Sequence, residues 1–154
     1  MRLFIAILFS LTILQQASSW TYTKNVDIMT DQDRSLVQPD ISDVVDFDGF
    51  MPAFKCFSDG LNFIVSHSYM GGDSNDEIRV HLRFDNEPME TYRWSLGTGS
   101  EVTFADMRDV PHVASKFRAS NRVVMRLVDP LDGETLTTIF KLDGFSAELE
   151  KMSC

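Results

Sequence analysis

Residues 78–84 alternate strictly between apolar and polar side chains, as Ile78-Arg79-Val80-His81-Leu82-Arg83-Phe84. Successive side chains of a β-strand point to opposite faces of its sheet. The pattern therefore predicts a half-buried strand with one wet face. We expect every second side chain to lie in the core, namely Ile78, Val80, Leu82 and Phe84, whereas Arg79, His81 and Arg83 face water.

Strand-like runs on both sides of this stretch predict hairpins. The turn at 85–88 leads into 91–96, a β-favouring partner run in which we expect Trp94 to be a core residue. Asp59-Gly60 separates the runs 54–57 and 61–65, and Asp-Gly is a dipeptide that tolerates the positive φ angles of a tight turn. The Pro- and Gly-containing segment 129–133 likewise separates the runs 122–128 and 134–142.

Shorter elements complete the predicted fold. Brief strands are predicted in 22–29, 35–38 and 102–104. Val113 and Phe117 have helical spacing, which predicts a one- to two-turn surface helix over 110–119. Residues 145–152 predict a short amphipathic C-terminal helix. Together these elements favour an all-β, antiparallel β-sandwich of about seven short strands, with a small α+β layer as the alternative.

The first nineteen residues have the order of a signal peptide. Arg2 is followed by an apolar run over 3–14 and then by a short polar stretch that ends in small residues. About twelve apolar residues are too few to span a bilayer, so we expect cleavage before Trp20, a periplasmic or secreted chain and no membrane span afterwards. The rest is expected to form one domain, with an acidic N-terminal segment at 20–50 and a disulfide-closed core at 51–154.

The charge balance is acidic. The whole chain has 14 Lys and Arg against 23 Asp and Glu, a net charge of −9. This balance argues against nucleic acid or anionic lipid as a partner, because both require a basic face.

Cys56 and Cys154 are the two cysteines of the chain. In an oxidising compartment, with no third cysteine for a metal set, they predict one disulfide. Two free thiols or an intermolecular bridge are the alternatives. The bridge would close a loop of about 98 residues, which the chain-entropy model values at roughly 4 to 5 kcal/mol.

Candidate catalytic and metal-binding groups form no recognisable motif. The sequence has no Gly-x-Ser-x-Gly elbow, and His67, His81 and His112 lack metal-ligand spacing, so we expect exposed histidines, no cofactor and no enzyme activity. Two acidic stretches, 46–49 and 73–77, could offer oxygen ligands to Ca²⁺, with Asp73, Asn75 and Glu77 as the candidates. Polar turns are the preferred interpretation of both stretches.

The order of landmarks along the chain resembles the VasI/TagO family of type VI secretion-associated proteins. The match covers nearly all of the chain after the signal peptide, and the missing N-x-Ser/Thr sequon favours a bacterial origin. The landmarks are Trp20, Met29-Thr30-Asp31, Ser35-Leu36-Val37, Pro52-Ala53-Phe54-Lys55-Cys56, the 77–84 strand with Asp85, Trp94-Ser95-Leu96, Phe104, the 122–130 strand and turn, Phe140-Lys141-Leu142-Asp143-Gly144 and Cys154.

The resemblance implies a periplasmic accessory protein that acts by binding a protein partner in the cell envelope. The alternative is a stand-alone exported binding module for a cell-wall fragment, a calcium ion or a partner protein. An exported hydrolase is the third hypothesis.

Overall fold

The computed structural model describes residues 18–71 and 77–154. Within them, nine strands form a single antiparallel sheet. The strands are β1 (Trp20–Thr23), β2 (Leu36–Pro39), β3 (Phe50–Phe57), β4 (Gly60–His67), β5 (Glu77–Phe84), β6 (Glu90–Leu96), β7 (Val102–Phe104), β8 (Arg122–Val128) and β9 (Thr135–Lys141). A 3₁₀ turn (Ile41–Asp43) and two helices, α1 (Val110–Ala119) and α2 (Phe145–Leu149), complete the fold.

The prediction of an antiparallel all-β fold with two short helices and one disulfide is confirmed. The strand order is β1-β2-β3-β4-β7-β6-β5-β8-β9. The described residues form nine strands against the predicted seven or so, and three of them, β1, β2 and β7, have only three or four residues each. The acidic segment 20–50 supplies β1 and β2, and β2 pairs with β3.

The first hairpin has a two-residue loop, one position earlier than its sequence indicates. Phe57 pairs with Gly60, so Ser58 and Asp59 form the loop and Gly60 begins β4. Gly60 has a φ angle of 116°, a conformation that side chains with a Cβ rarely adopt. The second predicted hairpin joins β8 and β9, and it pairs Val128 with Thr135.

The sheet curls so that its two halves face each other across one core. β3 and β9 stand far apart in the strand order, yet the rings of Phe50 and Phe140 lie 5.8 Å apart. Trp20 of β1 donates from its indole N–H to the carbonyl oxygen of Lys141 at 2.7 Å, which brings the two edge strands together at one end. The inner face thus encloses the apolar side chains, as the two layers of a sandwich do.

Helix α1 covers one end of the core. The predicted short helix over 110–119 is confirmed, but with ten residues it is longer than the predicted one to two turns, and its Val110, Val113, Ala114 and Phe117 are buried against the core. The Phe117 ring contacts five other aromatic rings, those of Trp20, Phe54, Phe63, Phe84 and Phe145. Periodicity indicates the helix, but only the tertiary structure shows that its apolar stripe meets the open end of the sheet.

Helix α2 is shorter than the predicted 145–152 and packs beside α1 and β1. Phe145 and Leu149 are buried, and the Glu148 carboxylate accepts a hydrogen bond from the Tyr22 backbone N–H at 3.0 Å. Gly144 precedes the helix with a φ of 76°, and an added Cβ there would lie 2.3 Å from the Ser18 hydroxyl oxygen. The positive φ angle is therefore the reason for a glycine at this position, because a residue with a Cβ is strained in that conformation.

None of the helices in the described ranges is long and apolar enough to cross a membrane. Most of the predicted signal peptide, residues 1–17, lies outside those ranges.

Candidate functional site

The disulfide links the third strand to the end of the chain. Cys56 and Cys154 are bonded with an S–S distance of 2.03 Å, which confirms the predicted pairing. Cys56 is fully buried in β3, whereas Cys154 is exposed. Because these are the two cysteines of the chain, no free thiol is left to act as a nucleophile.

The residues predicted to fill the core are all buried. Ile78, Val80 and Leu82 have no exposed surface, and Phe84 and Trp94 each have 1%. The Trp94 indole N–H donates to the Asp109 carboxylate at 3.1 Å. Trp94 is therefore positioned by the loop before α1 and offers no ring face to a ligand.

His67 corrects the prediction of three exposed histidines. It is only 7% exposed, its Nε2 lies 2.8 Å from the Thr103 hydroxyl oxygen, and its Nδ1 lies 2.7 Å from the Ser68 carbonyl oxygen. Burial lowers the pKa of His67, more than the neighbouring carbonyl and carboxylates raise it. The alternation Phe63, Val65, His67 along β4 is the signal that could have placed this ring on the inner face.

A polar cluster that was not predicted joins β6 to α1. Glu90 accepts hydrogen bonds from Tyr92 and from His112, whose Nε2 lies 3.0 Å away, and Lys116 lies beside it. Burial acts to raise the pKa of Glu90, but the hydrogen bonds from Tyr92 and His112 outweigh it, and the pKa is lowered. Burial and the Glu90 carboxylate raise the pKa of Tyr92. These bonds hold α1 over the end of the sheet, which is a structural role.

Of the three calcium candidates, only Glu77 lies among the described residues, so this site stays a prediction. Asp73 and Asn75 lie outside the described ranges, and Glu77 begins β5 as an exposed side chain 3.9 Å from the Arg93 guanidinium. In the second acidic stretch, Asp48 accepts a hydrogen bond from the Thr137 backbone N–H at 2.8 Å, so it fastens the 46–49 turn to β9. Residues 18–71 and 77–154 contain no group of three or more His, Cys, Asp or Glu side chains that could hold a metal ion.

The outer side of β6, β5, β8 and β9 forms a basic face. Its cationic side chains are exposed and come from all four neighbouring strands. Glu77 is the one acidic residue at the outward-facing positions of these described strands. The basic face consists of Arg79, Arg83, Arg93, Arg122, Arg126 and Lys141, with the half-buried His81 among them.

A groove of about 540 Å³ lies on the basic face. Its floor contains His81, Arg83 and Arg126, and the turn 86–89 forms a wall that includes the exposed Met89. This volume is within the roughly 300–1,000 Å³ typical of small-ligand sites.

The sheet holds the basic groups of the groove in place. The Nε atom of Arg126 donates to the Thr137 hydroxyl at 2.9 Å, that of Arg83 donates to the Glu87 carbonyl at 3.3 Å, and the Nδ1 atom of His81 lies 2.9 Å from the Thr91 hydroxyl. Within the described part of the chain, neither guanidinium has a carboxylate within ion-pair distance. The arrangement can therefore accept an anionic group.

The groove environment also acts on the charge of His81. Partial burial lowers the pKa of His81, and the positive charges of Arg79 and Arg126 lower it further. An anion in the groove would oppose both charges and favour the protonated ring.

The alternation at 78–84 predicts that Arg79, His81 and Arg83 face water, but no local pattern predicts the groove. Arg126 comes from the other hairpin, and it meets His81 only because β8 pairs with β5.

A scan against protein-family models, a search of curated proteins and a search of solved structures each found no match.

Proposed function

We propose that this chain is an exported accessory protein that acts by binding a protein partner in the cell envelope, and not by catalysis. The observation that carries the proposal is the basic face with its groove, set on a chain whose net charge is −9. Charge segregated to one face of a protein gives an orientation and a partner preference.

The surroundings of the reactive side chains support a binding role. Both cysteines are joined in the disulfide, His67 bonds to groups of its own sheet, and His112 bonds to Glu90. Each of these bonds connects elements of the fold, so stability is a sufficient reason for these residues. The disulfide is also compatible with export to an oxidising compartment.

The pathway proposed is type VI secretion, on the strength of the resemblance to the VasI/TagO family. Its most distinctive landmarks, Trp20, Cys56, Trp94 and Cys154, are the core and disulfide residues. They therefore support a common fold more directly than a common partner. The basic face adds a surface through which an accessory protein could bind.

The test is deletion of the gene in the native host, with secretion of the type VI tube protein into the medium as the readout. We expect secretion to fall and to be restored by the full-length chain supplied in trans. Unchanged secretion in the deletion strain, or a gene neighbourhood without sheath, baseplate or membrane-complex genes, would contradict the pathway.

A stand-alone module for a cell-wall fragment is the second candidate, and the size of the groove favours it. Peptidoglycan stem peptides carry carboxylates that Arg83 and Arg126 could bind. Calorimetry with purified muropeptides and, separately, with Ca²⁺ distinguishes these ligands. Glu87 is the one carboxylate among the described residues that line the groove and is paired with Lys116, whereas Arg83 and Arg126 repel a cation, so we expect no heat with Ca²⁺.

A further inference from the structure

The register of the sheet places like charges directly opposite one another on the basic face. Arg79 pairs with Arg93, and Arg122 pairs with Lys141. His81 also lies opposite Arg126, and this pair repels whenever the imidazole is protonated. Opposed like charges on neighbouring strands destabilise a sheet. The basic face therefore carries an unfavourable interaction that an anionic partner would relieve.

The basic face is wider than a single small anion requires. Four strands at a spacing of about 4.8 Å make it about 14 Å wide, and the step from Arg79 to Arg83 along β5 spans about 13 Å. The groove occupies the side where Arg83, His81 and Arg126 lie, and Met89 in its wall offers apolar surface. An occupant that matches the whole face has several carboxylates and at least one apolar side chain.

The negative charge of the rest of the chain limits which kind of anionic partner can bind the basic face. Membranes and nucleic acids extend far beyond a patch of this size, so their charge would also meet the acidic remainder of the molecule. A short acidic polypeptide segment contacts the basic face alone. Charge complementarity thus favours a segment of a protein over a lipid surface or a nucleic acid.

We propose that the basic face binds an extended acidic segment of a partner protein, with carboxylates on Arg83 and Arg126 and an apolar side chain against Met89. This inference rests on the proposed function, because it names the kind of protein that the accessory chain recognises. Arginine is suited to this role because its guanidinium can bind a carboxylate through two parallel hydrogen bonds.

The binding test uses the oxidised protein, purified after export from its full-length gene, and fluorescence anisotropy. The probe is a fluorescein-labelled peptide in which pairs of Glu flank single Leu residues, and the matched peptide has Gln in place of every Glu. We expect the acidic peptide to bind at least tenfold more tightly than the Gln peptide, and its affinity to fall as NaCl is raised. Equal affinity for the two peptides would overturn the proposal.

The site is tested with the double variant Arg83→Gln, Arg126→Gln. Its matched control is Lys24→Gln, Arg118→Gln, which removes the same charge from exposed positions off the basic face. We expect at least a tenfold loss of affinity in the groove variant and less than a twofold loss in the control. Equal losses in both would show a net-charge effect and would overturn the site, provided that circular dichroism shows both variants folded.

Two further experiments distinguish the possible ligands of the basic face and test the groove in the cell. Binding of muropeptides or of phosphatidylglycerol vesicles in place of the acidic peptide would overturn the choice of a protein segment. In the deletion strain, full rescue of secretion by the groove variant would overturn the groove while leaving the accessory function standing. Unchanged secretion on deletion would instead reject the accessory function, whatever the peptide binding shows.

Discussion

Replacing Cys154 with Ala should remove a large part of the stability of the oxidised protein. The disulfide closes a loop with a sequence separation of 98 residues. The chain-entropy model assigns such a loop roughly 4 to 5 kcal/mol at 25 °C, through restriction of the unfolded chain. Cys154 is the better residue to change because it is exposed, whereas Cys56 is fully buried and its truncation would also leave a cavity.

The folded state should keep its structure in this variant. Phe145 and Leu149 remain buried against the core, and Glu148 still accepts the hydrogen bond from the Tyr22 backbone. The protein therefore loses stability mainly because its unfolded ensemble gains conformational freedom and becomes less compact without the covalent link. We expect the dependence of the unfolding free energy on urea to steepen, because more surface is exposed on unfolding.

Urea unfolding followed by tryptophan fluorescence, with and without reductant, measures both effects. The oxidised parent should unfold at a higher urea concentration than Cys154→Ala, and the two proteins should coincide once the parent is reduced. Equal midpoints without reductant would refute the reasoning. A difference that persists in reductant would show that the side chain, and not the crosslink, was responsible.

Three other changes test the fold and its charges. Phe117→Ala should lower the unfolding free energy by about 3–5 kcal/mol, measured by urea unfolding, because its ring is the centre of the aromatic cluster. Arg79→Gln should raise it by a few tenths of a kcal/mol and by no more than about 1 kcal/mol, because the repulsion by Arg93 is removed. Hydrogen bonds from Ser35 and then Ser153 lower the pKa of Asp33 from 3.8 to about 2, so its stabilising effect is present above pH 3.8 and lost as the pH falls toward 2. Thermal melts should show the parent losing stability more steeply across that interval than Asp33→Asn.

Local patterns in the sequence predicted most of the sheet. The alternation at 78–84 identified β5 and its buried face, since a period of two is a property of the strand itself. The turn residues located both hairpins to within a residue because Asp59, Gly60 and Gly133 occupy or adjoin positions with unusual backbone angles.

Features that depend on contacts between distant segments were not predicted. Phe117 has helical spacing with Val113, but nothing local shows that the helix closes the end of a curled sheet. The same holds for Glu90, which lies on the inner side of β6 and bonds to His112 of α1. The polar character of histidine predicts an exposed side chain, but His67 is buried in the alternation of β4 because Ser68 and Thr103 supply hydrogen-bond partners for its ring.

The basic face shows how a surface can oppose folding and favour binding at once. The aromatic core and the disulfide supply the stability that holds Arg79 opposite Arg93 and Arg122 opposite Lys141, although these pairs repel. If the repulsion serves binding, Arg79→Gln should raise the unfolding free energy and weaken binding of the acidic peptide in the same protein. A substitution that improved both, or weakened both, would mean that the opposed charges have no part in recognition.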